Sequence, residues 1–222
     1  MRELIIQTQG IPPHNSAKTI LYGPELVKAK AALIMMHGRG ATAESILELS
    51  RYFMFDGVSY IAPQADGFTW YPNSFLMPIE SNEPGLSSAL KKMTNVVDHV
   101  VSEGIPEHKI MLLGFSQGAS LSLEWTARTA RNIAAVFGLS GGLIGPPGTK
   151  RNYEGSFTQT TVFLGCSDVD VHIPKERVIE SADIFKRMNA DVTMRLYPKL
   201  PHTVNDDEVY FVNTFIKKLI ES

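Results

Sequence analysis

A single cysteine, Cys166, excludes any internal disulfide and leaves the redox environment unconstrained. Its expected role is that of a small buried residue at a strand end. No apolar run approaches the roughly 18 residues that a bilayer-crossing helix requires. The opening stretch Met1-Arg2-Glu3-Leu4-Ile5-Ile6-Gln7 carries an acid within too short an apolar run for a signal peptide. The expectation is therefore a cytoplasmic chain without stable membrane insertion. Excess charge of either sign is missing too: 21 Lys and Arg oppose 23 Asp and Glu, a net charge of -2, and the basic residues are scattered. Such a balance provides no general attraction to nucleic acid or anionic lipid, so the expected partner is a small, roughly neutral molecule. The sequence assigns no oligomeric state. His14, His37, His99, His108, His172 and His202 are spread without ligand spacing, and no metal site is expected.

What is present is enough apolar material, 44% of 222 residues, to bury one large core, and residues 1–222 are expected to form one domain. Short strands over Leu4–Gln7 and Ala17–Tyr22 are expected at a sheet edge, antiparallel. Beyond them strands and helices alternate. Ala31–Met36 is a continuous apolar run, as expected of a strand covered on both faces. A helix over Ala43–Tyr52 and a strand over Val58–Ala62 follow. Leu86, Leu90, Met93, Val97, Val100 and Val101 keep helical spacing over Pro84–Glu103, and Gly104 with Pro106 ends that helix. The strand Ile110–Leu113, a helix over Gly118–Arg128, and strands over Ala134–Leu139 and Thr160–Gly165 come next. A helix over Pro174–Asn189, a strand over Val192–Tyr197 and a last helix marked by Val209, Val212, Ile216 and Leu219 complete the pattern. Repeated strand, helix, strand units predict a mostly parallel α/β sheet with helices on both faces and ligands at the carboxyl edge of the strands. The connections 63–83 and 140–159 are too short for a folded lid domain, so the site should be open.

The chemistry is concentrated after the fifth expected strand. Gly114-Phe115-Ser116-Gln117-Gly118 matches the Gly-x-Ser-x-Gly nucleophile elbow of α/β-hydrolases, and its place between a buried strand and a helix gives a short motif its weight. A serine hydroxyl needs a base to take its proton and an acid to orient that base. In this fold they follow in the order Ser, acid, His, each at a later strand end. His202 lies five residues past Tyr197, at the expected base position. The preceding loop offers Asp168 and Asp170. Asp168 lies three residues past Gly165 and is preferred, with Asp170 as the alternative and as a loop or helix-start carboxylate otherwise. His172 competes with His202 as base but has no strand of its own. The oxyanion hole is expected from the backbone N–H groups of Gln117, after the nucleophile, and Arg39, in the loop His37-Gly38-Arg39-Gly40. His37 reads as a loop brace. Phe68, Trp70, Tyr71, Phe75, Leu76 and Met77 make the 63–83 connection unusually apolar, and Trp70 and Tyr71 are expected to wall a substrate groove.

Met36-His37-Gly38-Arg39-Gly40, Gly114-Phe115-Ser116-Gln117-Gly118-Ala119, Ser140-Gly141-Gly142, Gly165-x-x-Asp168 and Pro201-His202 occur in an order that resembles the phospholipase/carboxylesterase family of α/β-hydrolases. The resemblance spans about residues 30 to 220 and implies hydrolysis of carboxylic esters or thioesters through an acyl-enzyme, with no cofactor. In this chain the acid loop is longer than the family pattern. Trp70-Tyr71-Pro72-Asn73-Ser74-Phe75 also replaces the Trp-Phe-Asp of the acyl-protein thioesterase branch. The longer loop bears on the choice between Asp168 and Asp170, whereas the Trp70–Phe75 segment makes the chain look closer to a bacterial esterase of small molecules.

Two other classes compete. Gly38-Arg39-Gly40-Ala41-Thr42-Ala43 fits the Gly-x-Gly-x-x-Ala fingerprint of dinucleotide-binding oxidoreductases, yet the next strand ends in Ile61-Ala62-Pro63-Gln64 with no acid for a ribose hydroxyl. Gly145-Pro146-Pro147-Gly148-Thr149-Lys150 resembles a phosphate loop, but Thr149 interrupts the Gly-Lys pair. A non-catalytic binding protein on the same fold would need to lack only one catalytic group, and none is missing.

Overall fold

The computed structural model describes residues 1–6, 10–53 and 55–221. In chain order the elements are β1 (Arg2–Glu3), β2 (Thr19–Tyr22), β3 (Ala31–Met36), α1 (Ala43–Leu47), β4 (Val58–Pro63), α2 (Gly85–Ser102), β5 (Ile110–Phe115), α3 (Gln117–Thr129), β6 (Ala135–Leu139), β7 (Thr161–Ser167), α4 (Lys175–Arg187), β8 (Asp191–Tyr197) and α5 (Asp206–Glu221). The eight strands form one sheet in the order β1-β2-β4-β3-β5-β6-β7-β8. β1 and β2 pair antiparallel at one edge, β2 pairs antiparallel with β4, and β3 through β8 are parallel to one another.

Strand periodicity divides the core. Along β3, Ala32, Ile34 and Met36 face one apolar layer with Leu86, Val97, Leu121 and Val178 of α2, α3 and α4. Ala31, Leu33 and Met35 face the other, with Ile46 of α1 and Val212 and Ile216 of α5. Successive strand side chains point to opposite faces, so a strand buried on both must be apolar at every position. All six residues of β3 are buried, as that requires.

Three elements differ from the sequence expectation. The expected strand Leu4–Gln7 is instead Arg2–Glu3, and Gln7 lies outside the described residues. The helix expected over Ala43–Tyr52 is α-helical only to Leu47 and then tightens to a 3₁₀ turn over Glu48–Tyr52. β7 runs to Ser167, two residues beyond the expected Gly165, because its pairing with β8 continues through Cys166↔Leu196 and Ser167↔Tyr197. That extension changes the site.

Candidate active site

Ser116 sits between β5 and α3 with φ 56° and ψ −116°, a positive φ that costs a non-glycine residue on the order of 1–3 kcal/mol. The neighbouring glycines allow the turn to stand. A Cβ on Gly114 would strike the Gly118 carbonyl, and one on Gly118 would strike the Met36 carbonyl, so strand, helix and the loop after β3 meet without side chains between them. Ser116 N–H donates to Leu139 O at 2.9 Å and Ser116 O accepts from Ser120 N at 3.1 Å, which fixes the elbow to β6 and to the first turn of α3.

His202 and Asp170 are joined across the loops that follow β8 and β7. His202 Nδ1 lies 2.6 Å from Asp170 Oδ2. The other carboxylate oxygen, Oδ1, accepts from the backbone N–H groups of His172 at 2.8 Å and Ile173 at 3.1 Å. The Asp170 side chain is fully buried and that of His202 is one-fifth exposed. Burial by itself would raise the Asp170 carboxyl, but the hydrogen bond from His202 and the two amides outweigh it and hold the group below the ordinary carboxylate range. Asp168, preferred from the sequence, makes a different contact. Its Oδ1 accepts from Lys199 N–H at 2.8 Å, so it ties the two loops together instead of meeting the imidazole. The count of three residues past the strand holds, but from Ser167, the true end of β7.

His172 packs its ring edge-on to His202, centroids 5.0 Å apart, and Phe115 covers another side of the imidazole at 4.9 Å. His172 thus neighbours the proposed base without an acid of its own. Ser116, Gln117 and His202 line a cleft of about 650 Å³ whose other walls include Tyr71, Phe75 and Ile173.

The oxyanion loop packs directly on the elbow: a Cβ on Gly38 would lie 3.5 Å from Ser116 Cβ. Gly40 N–H donates to Phe68 O at 2.8 Å and Ala41 N–H to Gly38 O at 3.2 Å. Among the described residues these bonds take up neither the Arg39 nor the Gln117 backbone N–H. His37 is buried with Nε2 accepting from Ala65 N–H at 3.1 Å, which puts the proton on Nδ1, 2.8 Å from Gly38 O. Burial lowers its pKa, in keeping with a neutral brace.

The side chains of Arg39 and Gln117 hold the 63–83 connection. The Arg39 guanidinium donates to Thr69 Oγ1, Pro72 O and Tyr71 O at 2.9 Å each and to Asn73 O at 2.6 Å. Gln117 Oε1 accepts from Trp70 N–H at 2.9 Å while its Nε2 donates to Tyr71 O at 2.8 Å. Tyr71 reaches the cleft wall. Trp70 does not, which corrects its expected place in the groove: it is 0% exposed, and its Nε1 donates to His37 O at 2.9 Å. A connection this apolar lowers its free energy by turning its largest ring inward, beneath the oxyanion loop.

Sequence reasoning missed His14, which is buried, accepts from Asp66 N–H at 3.0 Å and donates through Nε2 to Trp70 O at 2.9 Å. No local signal marks it, because its partners lie more than 50 positions away. Cys166 is buried below the acid loop, and burial pushes its thiol up to about 12, which leaves it inert at neutral pH. In the loop that suggested a dinucleotide fingerprint, Gly38 packs on Phe115 and Ser116 of the elbow and Gln64 Oε1 accepts from Ala43 N–H at 2.8 Å. Among the described residues no group of three or more His, Cys, Asp or Glu is placed to hold a metal ion, and no helix is long and apolar enough to cross a membrane.

A strained serine at a strand-to-helix turn, with an acid-bound histidine sharing its cleft, defines the class of α/β serine hydrolases. Within it, the sequence profile described as phospholipase/carboxylesterase matches residues 24–220, and the chain belongs to that family. It is a carboxylic ester hydrolase. The crystal structure of a phospholipase/carboxylesterase from Dyadobacter fermentans is 42% identical and covers 94% of this chain and 100% of its own, with a TM-score of 0.88. Acyl-protein thioesterase 1 of Aspergillus fumigatus is 28% identical over 89% of this chain and 91% of its own length. Its Saccharomyces cerevisiae counterpart is 24% identical over 87% and 95%.

Proposed function

We propose that this chain, acting as one domain, hydrolyses small carboxylic esters through an acyl-enzyme on Ser116, with His202 as general base and Asp170 as the acid that orients it. The observation that carries this reading is the 2.6 Å contact between His202 Nδ1 and Asp170 Oδ2, made by a histidine that shares its cleft with Ser116. With Nδ1–H held by the carboxylate, Nε2 is free to take the Ser116 proton as Oγ attacks the substrate carbonyl. The developing oxyanion is then met by the backbone N–H groups of Arg39, in the loop after β3, and of Gln117, at the amino end of α3. His202 returns the proton to the departing alcohol, and water attacking the acyl carbon by the reverse route regenerates the serine.

The cleft, about 650 Å³, suits a drug-sized molecule more than a lipidated protein chain. Thioesters are the second reading, because relatives named acyl-protein thioesterase align over most of the chain. The test is labelling with a fluorophosphonate, followed by turnover of matched oxygen esters and thioesters. Ser116→Ala should lose both labelling and several orders of magnitude in turnover. Retention of more than about a tenth of the activity would overturn the assignment.

A further inference from the structure

A second groove, of about 430 Å³, opens on the far side of His202 from the main cleft. The two share Gly38, Ala41, Phe115 and His202, but Ser116 and Gln117 line only the first. The second runs between the α1 region and the start of α5, and Ile46, Leu49, Val204 and Val209 make its floor. Leu49, Val204 and Val209 are partly exposed apolar side chains packed on the core, so the groove presents apolar surface to solvent. Asp206, exposed at the start of α5, also lines it, while its neighbours Asp207 and Glu208 are paired with Arg195 and buried, respectively.

We infer that this groove is the leaving-group subsite, and that it takes neutral apolar alcohols in preference to small or anionic ones. The inference rests on the serine-hydrolase reading and on the directions that reading imposes. Four substituents surround the tetrahedral carbon. One is Ser116 Oγ, and one is the oxyanion, held toward Arg39 and Gln117. The leaving oxygen must accept the proton from His202, so it points at the imidazole, and the group attached to it continues past the ring. The acyl chain keeps the remaining direction, along the cleft walled by Tyr71, Phe75 and Ile173. The groove bordered by His202 and not by the nucleophile suits the leaving group, and its apolar lining beside the exposed Asp206 selects neutral, hydrophobic alcohols.

By microscopic reversibility the site that releases an alcohol also binds one as acceptor. A bound alcohol gives its proton to His202 Nε2 and bonds to the acyl carbon; the bond to Ser116 Oγ breaks, and Oγ recovers the proton. The experiment is therefore partitioning of the acyl-enzyme, formed from a nitrophenyl ester, among water, methanol, 1-hexanol and 6-hydroxyhexanoate at equal alcohol concentrations. Hexyl ester should exceed methyl ester by at least about tenfold, the discrimination available from a single well-buried methylene. The hydroxyacid should be captured less than hexanol. In Val209→Gln and Leu49→Gln, both at partly exposed positions, the hexyl to methyl ratio should fall by about threefold or more, with fluorophosphonate labelling reporting the folded site. Equal capture of hexanol and methanol, or a ratio untouched in both labelled variants, overturns the subsite. Absence of labelling in the unaltered protein instead overturns the serine mechanism on which it rests.

Discussion

Asp170 and His202 meet through one short hydrogen bond, Oδ2 to Nδ1 at 2.6 Å, while Oδ1 accepts from the backbone N–H groups of His172 and Ile173 in its own loop and the buried Cys166 Sγ lies 3.8 Å from Oδ2. The carboxylate is thus braced by main-chain donors, and these with the His202 hydrogen bond hold its pKa below the ordinary carboxylate range against burial. This is the arrangement an orienting acid needs: a fixed direction, and a charge retained through the turnover range.

Asp170→Asn should slow turnover by about three to four orders of magnitude, since the amide preserves shape but favours the wrong imidazole tautomer. Asp168→Asn keeps an oxygen for Lys199 N–H and should stay within about tenfold. Steady-state kinetics of the two single variants with one nitrophenyl ester compares them directly, and the reverse ranking would return the role to Asp168.

Trp70→Ala should lower kcat/KM by a similar factor for short and long acyl esters and should cost about 3–5 kcal/mol of stability, the range for emptying a buried aromatic site. Trp70 is wholly buried against His37, so its loss loosens the oxyanion loop and not the acyl wall. Urea unfolding together with an acyl-length series checks both parts. A loss confined to long acyl chains would place the ring in the groove after all.

Arg39→Ala should keep turnover within about tenfold, because the proposed oxyanion donor is its backbone N–H. It should nevertheless lower stability by about 1–2 kcal/mol by releasing the four oxygens of Thr69, Tyr71, Pro72 and Asn73. Lysine should restore little, having no planar fork to reach them together. Arg39→Pro, which deletes the N–H itself, should be severe. Equal loss of turnover in folded Arg39→Ala and Arg39→Pro would assign substrate contact to the guanidinium.

Glu208, buried on α5 against β7, should make stability fall as pH rises from about 4.5 to 7. Burial raises its carboxyl from 4.5 to about 7. A raised folded-state pKa means the native protein binds the proton more tightly than the unfolded chain. The associated stability is complete below the unfolded value and lost as pH passes the folded one. The full difference is on the order of 3 kcal/mol at pH 8. Glu208→Gln should therefore be more stable than the parent by about 1–3 kcal/mol at pH 8 and close to it at pH 5, measured by urea unfolding at both. A constant difference between the two pH values would show that Glu208 does not titrate in this window.

Local pattern determined much of this protein. The continuous apolar run Ala31–Met36, buried at every position, and the alternation of strands with helices of 3.6-residue periodicity required a parallel sheet covered on both faces. Gly-x-Ser-x-Gly between Leu113 and Ala119 announced a serine at a strained turn, because only glycine at Gly114 and Gly118 lets strand and helix touch. His202 followed from chain order and a strand end. Asp170, Trp70 and the second groove did not follow, and their reason is common. Each depends on where separate segments come to rest against one another. β7 extends to Ser167 because β8 offers hydrogen-bonding partners as far as Tyr197, which brings Asp170, two residues beyond the expected position, to His202. Trp70 turns inward because His14, His37 and Gln117, distant in sequence, supply its polar partners and its cavity. The α1–α5 groove exists only after both helices have packed on the same face of the sheet. Local periodicity reports which residues are buried, whereas which neighbours they are buried against is decided by tertiary packing alone.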